Sequence, residues 1–420
     1  MGMPLATGQP GGLLEAMAGR DDWVQLRVYG ALLAVNPELF SHPGVHYLSG
    51  FYGPMERTLR DQEANISFAP ADFRQFGPLF RRENPRVMAT MATPPDDDGW
   101  CSLSLHAGGI VPELARAADD DERMLVVEVS DHFPRTIGVP PDHRHAVHVD
   151  QIDLLVESDH APLPLPSAEA GQADRQIAEY AREYICEGAT LQTGIGAIPS
   201  TIAALLAGGE VGDFGVHSEM FTDGLMKMHL ANKVTNRKGQ FDGVSVTTFA
   251  AGSQELYNWL DGNQEVAFLP VEVVNSPEAI SANRNMVTIN GALAVDIHGQ
   301  VMADTIDGRQ HSGIGGHEDF IAGPALALDQ RALLCMHSTV EIDGQTRSRI
   351  HSQLPAGTVI TTPRHQVDVI VTEYGAAELQ GKTVHQRGKA LAAIAHPDFR
   401  DELLEAAERA SKGRSPAGDP

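Results

Sequence analysis

Glu219 closes the segment GVHSE, three residues past the short apolar stretch Phe214–Val216, and the chain turns directly after it in MFTDG. On residue type alone a strand-end glutamate serves solubility. Held close to an activated acyl group and kept dry, the same carboxylate is a competent nucleophile. Upstream, LQTGIGAIPSTIAALLAGG puts Gly194 and Gly196 between a short strand and a helix starting near Pro199. Two glycines let the backbone approach a ligand closely, and the amides of a helix start favour a phosphate. A tight strand-to-helix turn needs glycine in any case, so this loop also has a purely structural reading. The spacing further resembles a dinucleotide fingerprint with Glu219 as the ribose acid, although Pro199 stands where a third glycine is wanted. A second cluster, HSGIGGHEDF, holds Gly313, Gly315 and Gly316. Consecutive amides in such a loop can form an oxyanion hole, and the bland alternative is a surface turn.

These residues need a frame to bring them together. Apolar runs at 86–93 (RVMATMAT) and 123–130 (RMLVVEVS) alternate with helical segments such as GLLEAMAGR. FGVHSE, GVSVTTFA, EVAFLPVEVV, TVITTP and VDVIVTEYG continue the pattern, which reads as buried strands of α/β sheets. Glu219 follows the Gly194–Gly196 loop by one helix and one strand. It is therefore expected at the carboxyl edge of a sheet, where open α/β folds bind their ligands. MVTINGALAVDIHGQV predicts antiparallel hairpins around Asn290-Gly291 and His298-Gly299. DRQIAEYAREYICEG predicts a helix with Ile177, Tyr180, Ala181, Tyr184 and Ile185 on one face and Gly188 as its cap. The proline-rich stretch 160–172 before it marks a boundary, giving an α/β domain over 1–170, a second over 171–410 and a disordered tail at 411–420. PDFRDELLEAAERA predicts a last helix with Phe399, Leu403, Leu404 and Ala407 inward.

Length and charge narrow the function. A chain of 420 residues exceeds one ordinary core. Its net charge of -25 repels phosphodiester backbones and anionic lipid, so nucleic-acid and membrane partners are excluded, while a local nest of amides can still hold a small anion. No apolar run reaches membrane-span length, and the N-terminus lacks the basic and apolar regions of a signal peptide. Three widely spaced cysteines, Cys101, Cys186 and Cys335, point to reduced thiols in the cytoplasm, with Cys186 and Cys335 read as core. Other chemistry is set aside. His143, His145 and His148 lack a supporting carboxylate motif, so no metal is expected. Acidic clusters at Asp96–Asp98 and Asp119–Glu122 read as solvated turns. GAAELQGKT has five residues between its glycines where a phosphate-binding Walker loop has four, and G-x-S-x-G is absent.

Five segments in order, LQTGIGAIPSTI, GVHSEMFTDG, ANRNMVTINGALAVDIHGQV, SGIGGHEDFIAG and VIVTEYGAAELQGKTVHQRGKALAAIAHPDFRDEL, resemble the acetyl-CoA hydrolase/transferase family of class I CoA-transferases. The likeness is strong over residues 185–405, is looser before them, and is nearest to the 4-hydroxybutyrate and butyrate–acetate CoA-transferase branch. It implies two related open α/β domains with the active site between them, commonly in a homodimer. It implies Glu219 as the glutamate that forms an acyl anhydride and then a glutamyl–CoA thioester. Gln192, Thr193, Gly194, Ile195 and Gly196 match the family's CoA-binding segment. Gly313, Gly315 and Gly316 match the loop that lies against the thioester, and Asn275 matches an asparagine near the acyl group. The resemblance makes coenzyme A a substrate, with acyl-CoA and a small carboxylic acid as partners and no metal or redox cofactor. Relatives begin with a further strand before the loop that ATGQPGGLLEAM resembles, which implies a truncated start or a first sheet short of one strand. An acyl-CoA hydrolase using the same glutamate is the nearest alternative, ahead of a nicotinamide-dependent dehydrogenase and a non-catalytic CoA-binding module.

Overall fold

The computed structural model describes residues 1–35, 37–165 and 169–413. Its first unit is a parallel sheet in the order Ile66–Phe68, Val45–Ser49, Leu26–Gly30, then Val87–Ala92, Met124–Val129 and Leu154–Glu157. The expected gap in this sheet is filled from the chain's own first residues. Gly2 bridges in parallel to both Tyr29 and Met88, and its N–H donates to Val87 O at 2.8 Å. Met3 N–H donates to Tyr29 O at 3.0 Å, so the two groups of strands join into one surface. Nothing in the polarity of MGMPL announces this bridge; pairing of Gly2 with neighbours on both sides creates it.

The second unit is a six-stranded sheet in the order Gly215–Val216, Thr190–Thr193, Met286–Gly291, Arg331–Cys335, Val369–Thr372, Gly375–Glu378. All pairs are parallel except the last. Both units are open α/β folds, as the alternating pattern requires. The helix Ala197–Gly208 crosses from Thr193 toward the edge strand and buries Ile202, Ala203 and Leu206. Burying each of the two large side chains contributes about 1.5–3 kcal/mol.

Several expectations shift on contact with the tertiary structure. Asn290-Gly291 is no hairpin turn: Met286–Gly291 lies between two parallel neighbours, and its first four residues are buried. His298-Gly299 does turn a hairpin, pairing Ala294 with Met302 and Val295 with Val301. TVITTP forms no strand and contributes an isolated bridge from Thr362 to Val301. The helix before Gly188 runs only Gln172–Arg182, because the chain turns through Tyr184 and reaches Gly188 at φ +71°. Cys186 falls in that turn and is exposed, whereas Cys101 and Cys335 are buried. The last helix, Arg400–Ser411, buries Leu403, Ala406 and Ala407 while Leu404 faces solvent. Helix thus continues to the first residue of the expected tail, and 414–420 lie outside the described residues, as do 166–168 of the boundary stretch. His145 is buried and stacks on Phe268, with ring centroids 5.1 Å apart, while His148 contacts Asp98 O at 3.0 Å. Among the described residues no helix is long and apolar enough to cross a membrane.

Candidate active site

Gly215 and Val216 pair with Thr190 and Leu191, and the chain then leaves the sheet under tight control. His217 N–H donates to Leu191 O at 3.1 Å and Ser218 N–H to Val246 O at 3.0 Å. Ser218 Oγ lies 3.1 Å from Thr193 O, tying this exit to the Gly194 loop. The carbonyl of Glu219 is clamped: Thr248 N–H and Phe249 N–H donate to it at 3.0 and 3.2 Å, and Thr247 Oγ1 lies at 3.0 Å. Burial lowers the His217 imidazole to a pKa of about 4. It is therefore neutral, and its Nε2 donates to Val274 O at 2.7 Å, fixing the residue before Asn275.

Asn275 is fully buried behind the glutamate. Its Nδ2 lies 2.6 Å from Glu219 Oε2 and 3.0 Å from Asp319 Oδ2, so one amide serves two carboxylates. Asp319 sits in the first turn of the helix His317–Ala322 and is paired with Arg74 of the first unit. Arg74 also meets Asp72 at 2.9 Å, and Phe73 N–H donates to Gly315 O at 2.9 Å. The first unit thereby holds the glycine loop in place. A Cβ on Gly316 would overlap Glu219 Oε2 and Asn275 Nδ2, and one on Gly315 would lie 3.6 Å from Glu219 Oε1. Gly315 has φ +58°, so the loop needs glycine for torsion at one position and for space at the next.

Burial pushes the Glu219 carboxyl up to about 8; the Asn275 hydrogen bond and the Gly316 amide oppose this, and repulsion from Asp319 adds to it. Burial also raises Asp319 to about 6 and Glu318 to about 7. Glu219 and Asp319 share the Asn275 amide and repel each other, so their titrations are linked.

Glu219 opens on a cavity of about 350 Å³. One wall is polar backbone: Gln192 to Ile195, Asn290, and Gly313 to Gly316. The other is apolar and includes Leu5, Leu32, Phe51, Phe73, Phe76 and Phe249. Ala31, Leu32 and Phe51 follow strands of the first sheet, while Gly194 and Gly291 end or follow strands of the second. The carboxyl ends of both sheets therefore open on one space, as expected for α/β ligand sites. A second hollow of about 260 Å³ at the start of the helix Ala197–Gly208 shares Gly194, Ile195, Asn290 and Gly291 with it.

Gln192, Thr193, Gly194, Ile195, Gly313, Gly315 and Gly316 thus gather with Glu219. Gly196 lines only the second hollow, and Asn275 supports the glutamate from behind. The Gln192 side chain bonds to the next strand, accepting from Ile289 N–H at 3.0 Å, which holds this wall together. Asp319 was within sight in HEDF, directly after the glycines, yet nothing in its spacing distinguishes it from a helix-start carboxylate. Arg74 and the phenylalanine wall come from the first half of the chain and carry no local signal. Among the described residues no three His, Cys, Asp or Glu side chains form a group able to hold a metal.

The family described as "Acetyl-CoA hydrolase/transferase C-terminal domain" matches residues 252–407. A 4-hydroxybutyrate coenzyme A transferase of Clostridium kluyveri is 34% identical over 95% of this chain and 91% of its own length. A butyryl-CoA:acetate CoA-transferase of Anaerostipes caccae is 33% identical over 82% of this chain and 76% of its own. Among solved structures, RipA from Yersinia pestis superposes with a TM-score of 0.87 at 29% identity, covering 98% of this chain and 93% of its own. The chain belongs to the acetyl-CoA hydrolase/transferase family.

Proposed function

We propose that the protein is a CoA-transferase moving coenzyme A between an acyl-CoA and a small carboxylic acid through a thioester on Glu219. The observation that carries this reading is a half-buried glutamate, held by Asn275 at 2.6 Å, opening on a cavity beside a loop of glycine amides. The transferase names of the relatives at 32–34% identity support it, while relatives named acetyl-CoA hydrolase stand at 26% and 23%.

In the first step a Glu219 carboxylate oxygen attacks the thioester carbonyl carbon. A C–O bond forms, the C–S bond breaks, and the thiolate of coenzyme A leaves an acyl–glutamyl anhydride. The thiolate then attacks the glutamyl carbonyl and expels the first acid as its carboxylate, leaving the glutamyl–CoA thioester. An incoming carboxylate reverses both steps and departs as the new acyl-CoA. Thioester energy is conserved at each stage, so the scheme uses no metal or redox group. Amides of Gly315 and Gly316 are positioned beside the developing oxyanions, where one donor is worth about 3 kcal/mol. Gln192 to Gly196 carry the coenzyme along the two connected hollows. The apolar wall keeps water from the anhydride.

Incubation with acyl-CoA, borohydride trapping and peptide mass analysis tests this directly. A reduced adduct at Glu219 is expected, and an unmodified peptide during normal turnover refutes it. Thiol release at equal rate with and without an acceptor acid would make the protein a hydrolase. Nucleotide-dependent absorbance change without an adduct would restore the dehydrogenase reading. Exchange no faster than the uncatalysed rate in both the parent and Glu219→Ala would leave only a CoA-binding module. A cytoplasmic homodimer completes the proposal, with light scattering as its check.

A further inference from the structure

Resting on that transferase reading, we propose that the acid transferred is an apolar monocarboxylate, and that Phe76 sets its length. The wall facing Glu219 is the open end of the first unit's hydrophobic core: Leu5, Ala31, Phe73, Phe76 and Phe249 belong to one apolar cluster. Phe51 stands across Gly315 from the glutamate, since a Cβ on Gly315 would be 3.5 Å from its ring and 3.6 Å from Glu219 Oε1. A substrate tail leaving the reacting carbonyl away from the glycine loops therefore enters aromatic surroundings.

A second charge on that tail meets no cation in the Glu219 cavity. Among the described residues lining the cavity there is no lysine or arginine. Arg74 is held by Asp72 and Asp319, and Arg57 donates to His311 O at 2.7 Å. His317 is neutral and bonded to Thr362 Oγ1 at 2.9 Å. The Thr361 hydroxyl is spent on Asp304 at 2.6 Å, and the Gln192 amide on the neighbouring strand. Against that apolar wall a carboxylate or hydroxyl terminus would be stripped of water without compensation.

Behind Phe76 lies a further hollow of about 180 Å³, bounded by Leu48, Leu79 and Phe80 and also by Tyr29, Glu83 and the exposed Arg82. Phe76 is the residue it shares with the Glu219 cavity. Its ring packs edge-on against Phe73 at 5.2 Å, and its tip occupies the space that a Cβ on Gly50 would need. Phe76 is thus a partition between the apolar wall of the Glu219 cavity and this second hollow.

The test is kcat/KM for acetate, butyrate, hexanoate, octanoate, succinate and 4-hydroxybutyrate with one fixed acyl-CoA donor. A rise of about fourfold per methylene is expected up to hexanoate. Succinate should fall about 100-fold or more below butyrate. Succinate or 4-hydroxybutyrate matching hexanoate would overturn the apolar assignment. Phe76→Ala should raise the octanoate-to-butyrate ratio about tenfold, with soluble Phe76→Leu moving it the same way by less. An unchanged ratio in Phe76→Leu would overturn the length role. No exchange with any acid, together with no Glu219 adduct, would instead remove the transferase reading and this proposal with it.

Discussion

Asn275 Nδ2 lies 2.6 Å from Glu219 Oε2, and the same nitrogen reaches Asp319 at 3.0 Å. The hydrogen bond favours the ionised glutamate against burial and the neighbouring acid. Asn275→Ala should lower kcat about 100-fold. It should also displace the acidic limb of the kcat/KM profile, near pH 8 in the parent enzyme, to higher pH. A limb that stays in place while kcat falls would show that Asn275 acts only on the substrate.

Glu219→Gln should abolish transfer and yet stabilise the fold at alkaline pH. The folded carboxyl, near 8, binds its proton more tightly than the unfolded one, near 4.5. Between these values the unfolded chain releases a proton that the folded chain retains, so parent stability falls as pH rises through the window. The glutamine variant lacks this penalty. Its Tm should exceed the parent's by several degrees at pH 8 and by little at pH 5, as read by thermal unfolding at both.

Gly316→Ala and Gly315→Ala should separate cleanly. The first has no torsional strain, with φ −91°, but its methyl would collide with the Glu219 carboxylate and the Asn275 amide. The second has room for a methyl and only the cost of a left-handed alanine, about 1 kcal/mol. Activity should drop about 1,000-fold in Gly316→Ala and about tenfold or less in Gly315→Ala. Equal losses would mean that the loop acts through its shape rather than through contact with the glutamate.

Arg74→Ala should weaken both fold and site. It frees Asp319 and Asp72 together and lets the first unit's grip on Gly315 loosen. Urea unfolding should show a loss of about 1–3 kcal/mol, with kcat down about tenfold. Arg74→Lys should restore little, because a point charge cannot serve two carboxylates in the guanidinium's planar fork.

The second half of the site was readable because its parts sit at sheet-edge positions that the chain order dictates. Thr193–Gly194 ends a strand, a helix crosses, and Glu219 follows the adjoining strand; that order alone brings the two near. Asn290-Gly291 misled because the dipeptide's turn preference is local, while Met286–Ile289 are buried between two parallel strands. Met1–Met3 shows the same limit from the other side, since only Tyr29 and Met88 make Gly2 a bridge between the two groups of strands. Arg74 and Phe76 were illegible for a related reason. Arg74 takes its meaning from Asp319, 245 positions away, and Phe76 from the two hollows it separates, to which no periodicity connects either.

The clamp on the Glu219 carbonyl by Thr247, Thr248 and Phe249 has a mechanical consequence. With the main chain pinned, the carboxylate can swing only about its own side-chain bonds. In the proposed scheme anhydride, thioester and free acid are all reached within that short arc, so the travelling partner is the sulfur. Structures trapped at successive stages should superimpose at residues 217–221 and differ in where the pantetheine arm lies.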